Sequence, residues 1–332
     1  MRKPDFSNLM KVLNRQVPGR PTLFEFFLNG RLHARLAGNG PDGKPLEGWT
    51  QVVTAFRNAG YDYITVLIPG FGFPVKDVPK LASRSVNDTA VIFDRKTFNA
   101  YAWPDPDAVD YSLLDNAWLP DGMKMIVYGP NGVLENVLGV AGYEGLCYMI
   151  ADDPRLVGDI FDAVGSRLVR YYEICSKYDR VGALISNDDL GFSTQPMIAP
   201  ALLRQYVFPW HKRIVETIHA AGKPAILHAC GQLEDVMDDI IDGMRYDAKH
   251  SFEDKILPVE QAYERWGSRI AILGGMDVDF VCRSAPDAVR ARSAAMLQRA
   301  SGRGGYALGT GNSVPEYVPD DNYLAMISAA VG

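Results

Sequence analysis

His228 and Cys230 stand two residues apart in the stretch ILHACGQLED, residues 226–235, at the end of an apolar run and just before Gly231. An imidazole and a thiolate are both good zinc ligands, and a catalytic zinc needs three protein ligands and one open position. Residues two apart on a strand point to the same face. The pair therefore faces one pocket if the chain stays extended through Ala229; otherwise it is a buried histidine beside a small buried thiol. Other residues carry chemistry too. Asp188 and Asp189 follow an apolar run and precede Gly191. Each is either a cap on the next turn or a pocket carboxylate. His250 with Glu253 is an acid–base pair or a hydrogen-bonded structural histidine beside a carboxylate. Asp277 lies in the glycine turn GGMDVD, and Asn312 in the Gly-flanked turn GTGNS. His211 and His219, eight apart in a helical pattern beside Lys212 and Arg213, are expected on the outer surface of that helix.

The elements that must position these residues show in the hydrophobic pattern. Apolar runs ending in turn residues mark strands at 22–28, 61–68, 123–129, 182–188, 223–229, 246–251, 270–275 and 305–310. Helical periodicity fills most gaps, with Gly60 and Gly222 as stops and Pro154 and Pro200 in first turns. Pro209 should break or kink its helix. Strand–helix alternation reads as a parallel sheet with crossover helices, and eight such strands close most simply into a (β/α)8 TIM barrel spanning residues 1–332 as one domain. An open doubly wound sheet is the alternative, but no Gly-rich phosphate fingerprint follows an early strand. Residues 71–120 are irregular and rich in Pro, Asp and aromatics, and form an excursion after the second strand: a lid or a set of short elements. Trp103 and Trp118 there, with Tyr317, either shape a pocket wall or pack ordinarily.

In such barrels the active site lies at the carboxyl ends of the strands. Taken in order, those ends carry Glu25 and Asn29; Asn187, Asp188 and Asp189; His228 and Cys230; His250 and Glu253; Asp277; and Thr310, Asn312 and Ser313. Asp188, Asp189, His250 and Asp277 are the expected catalytic residues. Glu25, Asn187, Thr310, Asn312, Ser313 and Tyr317 are expected to bind substrate. His228, Cys230 and Glu253 are the expected metal ligands.

The 332 residues are 47% hydrophobic and 22% charged, a soluble globular balance with enough apolar surface for a large core. A net charge of −6 speaks against a nucleic acid or an anionic membrane as partner, since these usually meet a basic face. No apolar run reaches the ~18 residues that span a bilayer. The charged start lacks a signal-peptide core, so a cytoplasmic location is expected. Four scattered cysteines make no disulfide framework. Cys147, Cys175 and Cys282 are expected as helix-core thiols.

The stretches NDDLGFSTQPMIAPALLRQYVFPWHKRIVETIHAAGKPAILHACGQLEDVMDDIIDGMRYDAKHSFED, RIAILGGMDVDFV and GGYALGTGNSVPEYVPDDNYLAMISAA resemble the uroporphyrinogen decarboxylase superfamily. The match is clear over roughly residues 180–330 and loose before. The resemblance implies a (β/α)8 barrel and one of two activities: metal-free decarboxylation of a porphyrinogen, or zinc-dependent methyl transfer involving a corrinoid protein and a small methylated substrate or thiol. The decarboxylase pattern is broken at three places. TLFEFFL stands where an Arg-rich stretch should follow the first strand, Ile68 and Pro69 stand where an acidic group should end the second, and Thr310 replaces the histidine of a GHG-like turn. His228 and Cys230 match the first two zinc ligands of the methyltransferase branch. Its further cysteine near the end of the last strand is missing, which leaves Glu316, Asp188, Asp189, Glu253 or Asp277 as an oxygen ligand. The resemblance thus points to the corrinoid-dependent methyltransferase-like branch, with zinc, a corrinoid partner protein and a small-molecule substrate, and suggests a homodimer. The alternatives are a metal-free decarboxylase on a porphyrinogen or smaller carboxylated substrate, and a non-catalytic binding barrel.

Overall fold

The computed structural model describes residues 2–76 and 86–332. Seven parallel strands form one sheet in chain order. They are β1 (Tyr63–Leu67), β2 (Lys124–Tyr128), β3 (Val181–Asn187), β4 (Ala225–His228), β5 (Ala248–His250), β6 (Ala271–Leu273) and β7 (Tyr306–Ala307). Six fall inside one of the apolar runs above, and β3 starts one residue before its run. The strands are buried almost without alternation, as parallel strands covered by helices must be.

The eighth position belongs to residues 22–28, reduced to isolated bridges. Leu23 pairs with Leu308 and Leu28 with Val314, both parallel. The approach to the last strand is close enough that a Cβ at Gly309 would fall 1.7 Å from the Phe24 carbonyl oxygen, so only glycine fits. Toward β1 a side chain does the work of a ladder. The Tyr63 hydroxyl accepts from the Glu25 N–H at 2.6 Å and donates to the Glu25 carbonyl at 2.7 Å. The result is the (β/α)8 barrel fold, with one of its eight strands frayed into point contacts.

The helix stops behave as expected: Gly60 closes Gly48–Ala59 in the left-handed conformation, with φ 97°. Pro209 does not break its helix. The chain inserts a π-helical turn at Leu203–Val207, and Pro209 then sits in the first turn of Phe208–Ala220, where its missing N–H costs nothing. The excursion resolves into short elements, including helices Arg95–Ala100 and Leu113–Asn116. Its described part packs on helix Pro154–Ser176. Phe71 stacks on Tyr171 at 5.1 Å, the Arg167 guanidinium covers the Trp103 ring, and Arg170 pairs with Asp107. Trp103 is therefore a packing residue, and Trp118 is half-exposed with its carbonyl held by the Trp49 indole. Residues 77–85 of the excursion lie outside the described residues. Among the described residues, no helix is long and apolar enough to cross a membrane.

Candidate metal centre at the barrel mouth

The carboxyl ends of β3 and β4 continue into two loops that cross at Gly191 and Gly231. A Cβ on Gly231 would lie 2.1 Å from the Gly191 carbonyl oxygen, and Gly231 has φ 90°, so both the contact and the conformation require glycine. The Gln232 N–H donates to the Phe192 carbonyl at 2.7 Å across the same crossing. This close approach sets Asp189 beside Cys230. Asp189, His228 and Cys230 offer a carboxylate oxygen, an imidazole nitrogen and a sulfur that all lie within 4.8 Å of one another.

Cys230 Sγ lies 3.9 Å from His228 Nε2. Tetrahedral zinc with its usual bond lengths holds neighbouring donors roughly 3.5 Å apart, so the set fits zinc with small adjustments. Three protein donors with a remaining open side is the pattern of a catalytic site. Burial, and then the charge of Asp189, pushes the Cys230 thiol up to about 12. Its sulfur receives hydrogen bonds from the Ser251 hydroxyl at 3.3 Å and the Asn312 amide at 3.5 Å. Ser251 holds φ 83°, a costly conformation for a non-glycine residue.

These donors face a cavity of about 290 Å³ lined by Phe26, Phe27, Tyr128, Glu135, Asn187 and Asn312 among others. Among the described residues, its lining contains no lysine or arginine. The Asn187 Oδ1 is buried there without a hydrogen-bond partner, an arrangement that a bound ligand would satisfy. Glu135 enters from the first turn of helix Val133–Ala141, where it accepts from the Gly132 N–H at 3.0 Å. Burial, reinforced by the charges of Asp188 and Asp189, raises its carboxyl to about 8. Sequence reasoning missed Glu135. The signal was the G-x-x-E spacing at a helix start directly after β2.

The other expected residues divide into three groups. Asn187, Asn312 and Ser313 line the cavity. Asp188, His250, Glu25 and Thr310 are buried behind it. The Asp188 carboxylate accepts from the Leu134 and Glu135 N–H groups, both at 2.9 Å, and from His211 Nε2 at 2.8 Å. It caps helix Val133–Ala141 because the residue at the cap position, Gly132, has no side chain to do so. His211 is fully buried, between Asp188 and the Tyr246 hydroxyl, not on the outer surface as its helical setting suggested. His219 is half-buried and paired with Asp247. Glu25 accepts from the Thr310 N–H and hydroxyl at 2.6 and 2.8 Å and is fully buried. Its carboxyl is raised by burial to about 8.

Asp277 accepts from the Phe280 and Asp254 N–H groups, so it caps a helix and ties down a loop. Glu253 lines a neighbouring groove with Lys255, Asp277 and Tyr317, and is not in the donor cluster; Asp189 takes the place expected for it. Tyr317 is 72% exposed on the far side of that groove. Among the cysteines outside the site, Cys175 is buried as expected, while Cys147 is exposed on its helix and Cys282 half-buried.

The molecule is thus a parallel (β/α)8 barrel with a His–Cys–carboxylate cluster at its carboxyl face. The sequence model of the family described as Uroporphyrinogen decarboxylase (URO-D) matches residues 124–331, and the chain belongs to that family. No curated protein matches the sequence. Among solved structures, a methyltransferase from Methanosarcina mazei is similar over 98% of this chain and 97% of its own, at 13% identity and a TM-score of 0.69. That likeness extends the shared fold to the amino-terminal third, which the family model does not reach. Xylanase B from Clostridium stercorarium F9 matches at 11% identity and a TM-score of 0.37, covering 62% of this chain and 78% of its own. A xylose isomerase-like TIM barrel protein from Mycobacterium smegmatis, in complex with magnesium, matches at 11% identity and 0.38, covering 94% and 98%.

Proposed function

We propose that this chain is a zinc-dependent methyltransferase that moves a methyl group between a small methylated substrate or thiol and a corrinoid carried on a partner protein. The observation that carries the reading is the Asp189–His228–Cys230 donor set facing a cavity whose described lining carries no lysine or arginine. A porphyrinogen with many carboxylates needs arginines or lysines to hold it. The lining instead offers aromatic faces, carboxyl groups and an unpartnered amide oxygen, which suit a neutral or cationic methyl carrier. The methyltransferase from Methanosarcina mazei, similar along nearly its whole length, agrees with this choice.

His228, Cys230 and Asp189 would hold zinc, which supplies Lewis acidity toward a bound thiol or a methyl-bearing heteroatom. Asn187 would orient the substrate through its free Oδ1. Phe26, Phe27 and Tyr128 would exclude water from the methyl group. Burial favours the protonated form of the Glu135 carboxyl, which stands in the same cavity. When the methyl group leaves, the bonding electron pair stays on the heteroatom, and the Glu135 carboxyl is placed to give that atom a proton.

The test is elemental analysis of protein purified without chelator, beside His228→Ala, Cys230→Ser and Asp189→Ala, followed by methyl-transfer assays with a reduced corrinoid. About one zinc per chain, lost in the variants, is the expected result. Well-folded wild type that takes up no zinc when supplied with it would sink this reading. Release of carbon dioxide from a carboxylated pyrrole would put decarboxylation in its place.

A further inference from the structure

We infer that His250 is a positioning residue that locks His228 in the tautomer whose bare Nε2 faces Cys230 and Asp189. The inference rests on the metal reading for its purpose, but not for its geometry. His250 Nε2 lies 3.3 Å from the Thr310 carbonyl oxygen, which can only accept a hydrogen bond. That nitrogen therefore carries a proton. The His250 ring is fully buried, and its two nitrogens meet a carbonyl and a second imidazole rather than a carboxylate, so the ring is neutral and its Nδ1 is bare. His250 Nδ1 lies 2.7 Å from His228 Nδ1, and two bare nitrogens cannot make such a contact. His228 Nδ1 is thus the donor. With Nδ1 donating, the neutral His228 ring leaves its Nε2 as a lone pair, 3.9 Å from the Cys230 sulfur.

The surroundings hold this relay in place. Strands β4 and β5 align His228 with His250 in register. Phe26 packs on the His228 ring at 4.5 Å and Phe24 meets the His250 ring edge-on at 5.1 Å, which fixes both ring planes. Thr310 is anchored from behind by Glu25 through its N–H and hydroxyl. Gly274 has to be glycine: a Cβ there would lie 2.2 Å from the Thr310 oxygen and 2.9 Å from His250 Nε2. A metal-binding histidine usually donates its second N–H to a carboxylate or carbonyl. Here a second, neutral histidine receives it and passes the polarisation on to Thr310.

The experiment has two arms. Long-range ¹⁵N–¹H correlation spectra of metal-free, ¹⁵N-histidine-labelled protein at pH 7.5 report each ring's tautomer, with His228→Gln and His250→Gln giving the assignments. The expected result is Nδ1–H on His228 and Nε2–H on His250; Nε2–H on His228 would overturn the inference. In the second arm, zinc dissociation constants are measured by chelator competition. His250→Phe should weaken binding about 10- to 100-fold, the usual cost of losing an outer partner. His250→Gln, whose amide oxygen can accept from Nδ1–H, should recover most of it. Equal affinity in wild type and His250→Phe would remove the positioning role. A wild type with the expected tautomers that binds no zinc would instead sink the metal reading and leave the lock standing.

Discussion

Asp188 and Asp189 are neighbours in sequence and point in opposite directions, as successive residues of an extended chain do. One carboxylate is spent on helix N–H groups and a buried histidine; the other opens on the cavity. Their substitutions should separate cleanly. Asp188→Ala should cost about 2–4 kcal/mol of stability, since it removes a cap and strands the buried His211 ring. Asp189→Ala should leave the melting temperature nearly unchanged and weaken zinc binding more than about 100-fold, beyond what loss of an outer partner costs. Thermal melts and chelator competition on the two variants test both, and a metal defect in Asp188→Ala equal to that of Asp189→Ala would refute the division. The thiol of Cys230 adds a pH dependence. With its pKa pushed to about 12 it is protonated in the metal-free protein, so zinc must displace the proton. Between pH 6 and 8 the apparent affinity should rise about tenfold per pH unit, and Cys230→Ser should lose that slope. The sequence showed which residue types matter here but not their directions. Glu25, Thr310 and His250 stood out as pocket residues, and they turn out to form the support behind His228. Only side-chain orientation decides between those roles.

At the scale of elements, the barrel was legible because buried parallel strands read as continuous apolar runs, and each run contained a strand or its remnant. Helix Val133–Ala141 was not legible. It is buried on nearly all sides, so it has almost no polar face to give a helical period, and its main cap is Asp188, just past β3, with only the G-x-x-E of Glu135 in its own sequence. The fraying of residues 22–28 was equally hidden, because the Tyr63 hydroxyl replaces backbone pairing on one side. That seam yields a prediction. Tyr63→Phe keeps the ring packing but leaves a buried N–H and a buried carbonyl of Glu25 unpaired, at about 1–3 kcal/mol for each group. Denaturant unfolding should therefore show a loss of at least about 2 kcal/mol. A neutral result would mean that another group closes the seam. Because residues 22–28 also carry Phe24 and Phe26 against the two histidines, the same variant should loosen zinc binding modestly.

Over the whole molecule, the buried ionisable groups set how stability varies with pH, and they act in opposite directions. Glu25 and Glu135 have folded-state values near 8, above the ordinary carboxyl range. From about pH 4.5 to 8 the folded chain holds protons there that the unfolded chain has released, so rising pH lowers stability across that window. The His250 ring has the reverse effect: its folded value is near 3 against 6.5 ordinarily. Between those values the unfolded chain binds a proton that the folded chain refuses, so rising pH raises stability. His228, also depressed, adds to this. Above about 6.5 the histidines have finished and the carboxyl groups keep lowering stability, while Lys249, depressed by burial to about 8, begins to act the other way near pH 8. The two effects roughly cancel between about pH 4.5 and 6.5, so the metal-free protein should be most stable across that plateau and weaken from there toward pH 8. Glu25→Gln keeps an acceptor for the Thr310 N–H and removes one titrating group. Its melting temperature in chelator should fall less than that of wild type between pH 6.5 and 8, moving the optimum upward. Parallel curves for the two proteins would show that Glu25 is already ionised inside the barrel wall. The acid behind Thr310 would then be a charged anchor for the histidine relay, and not the neutral one that its burial implies.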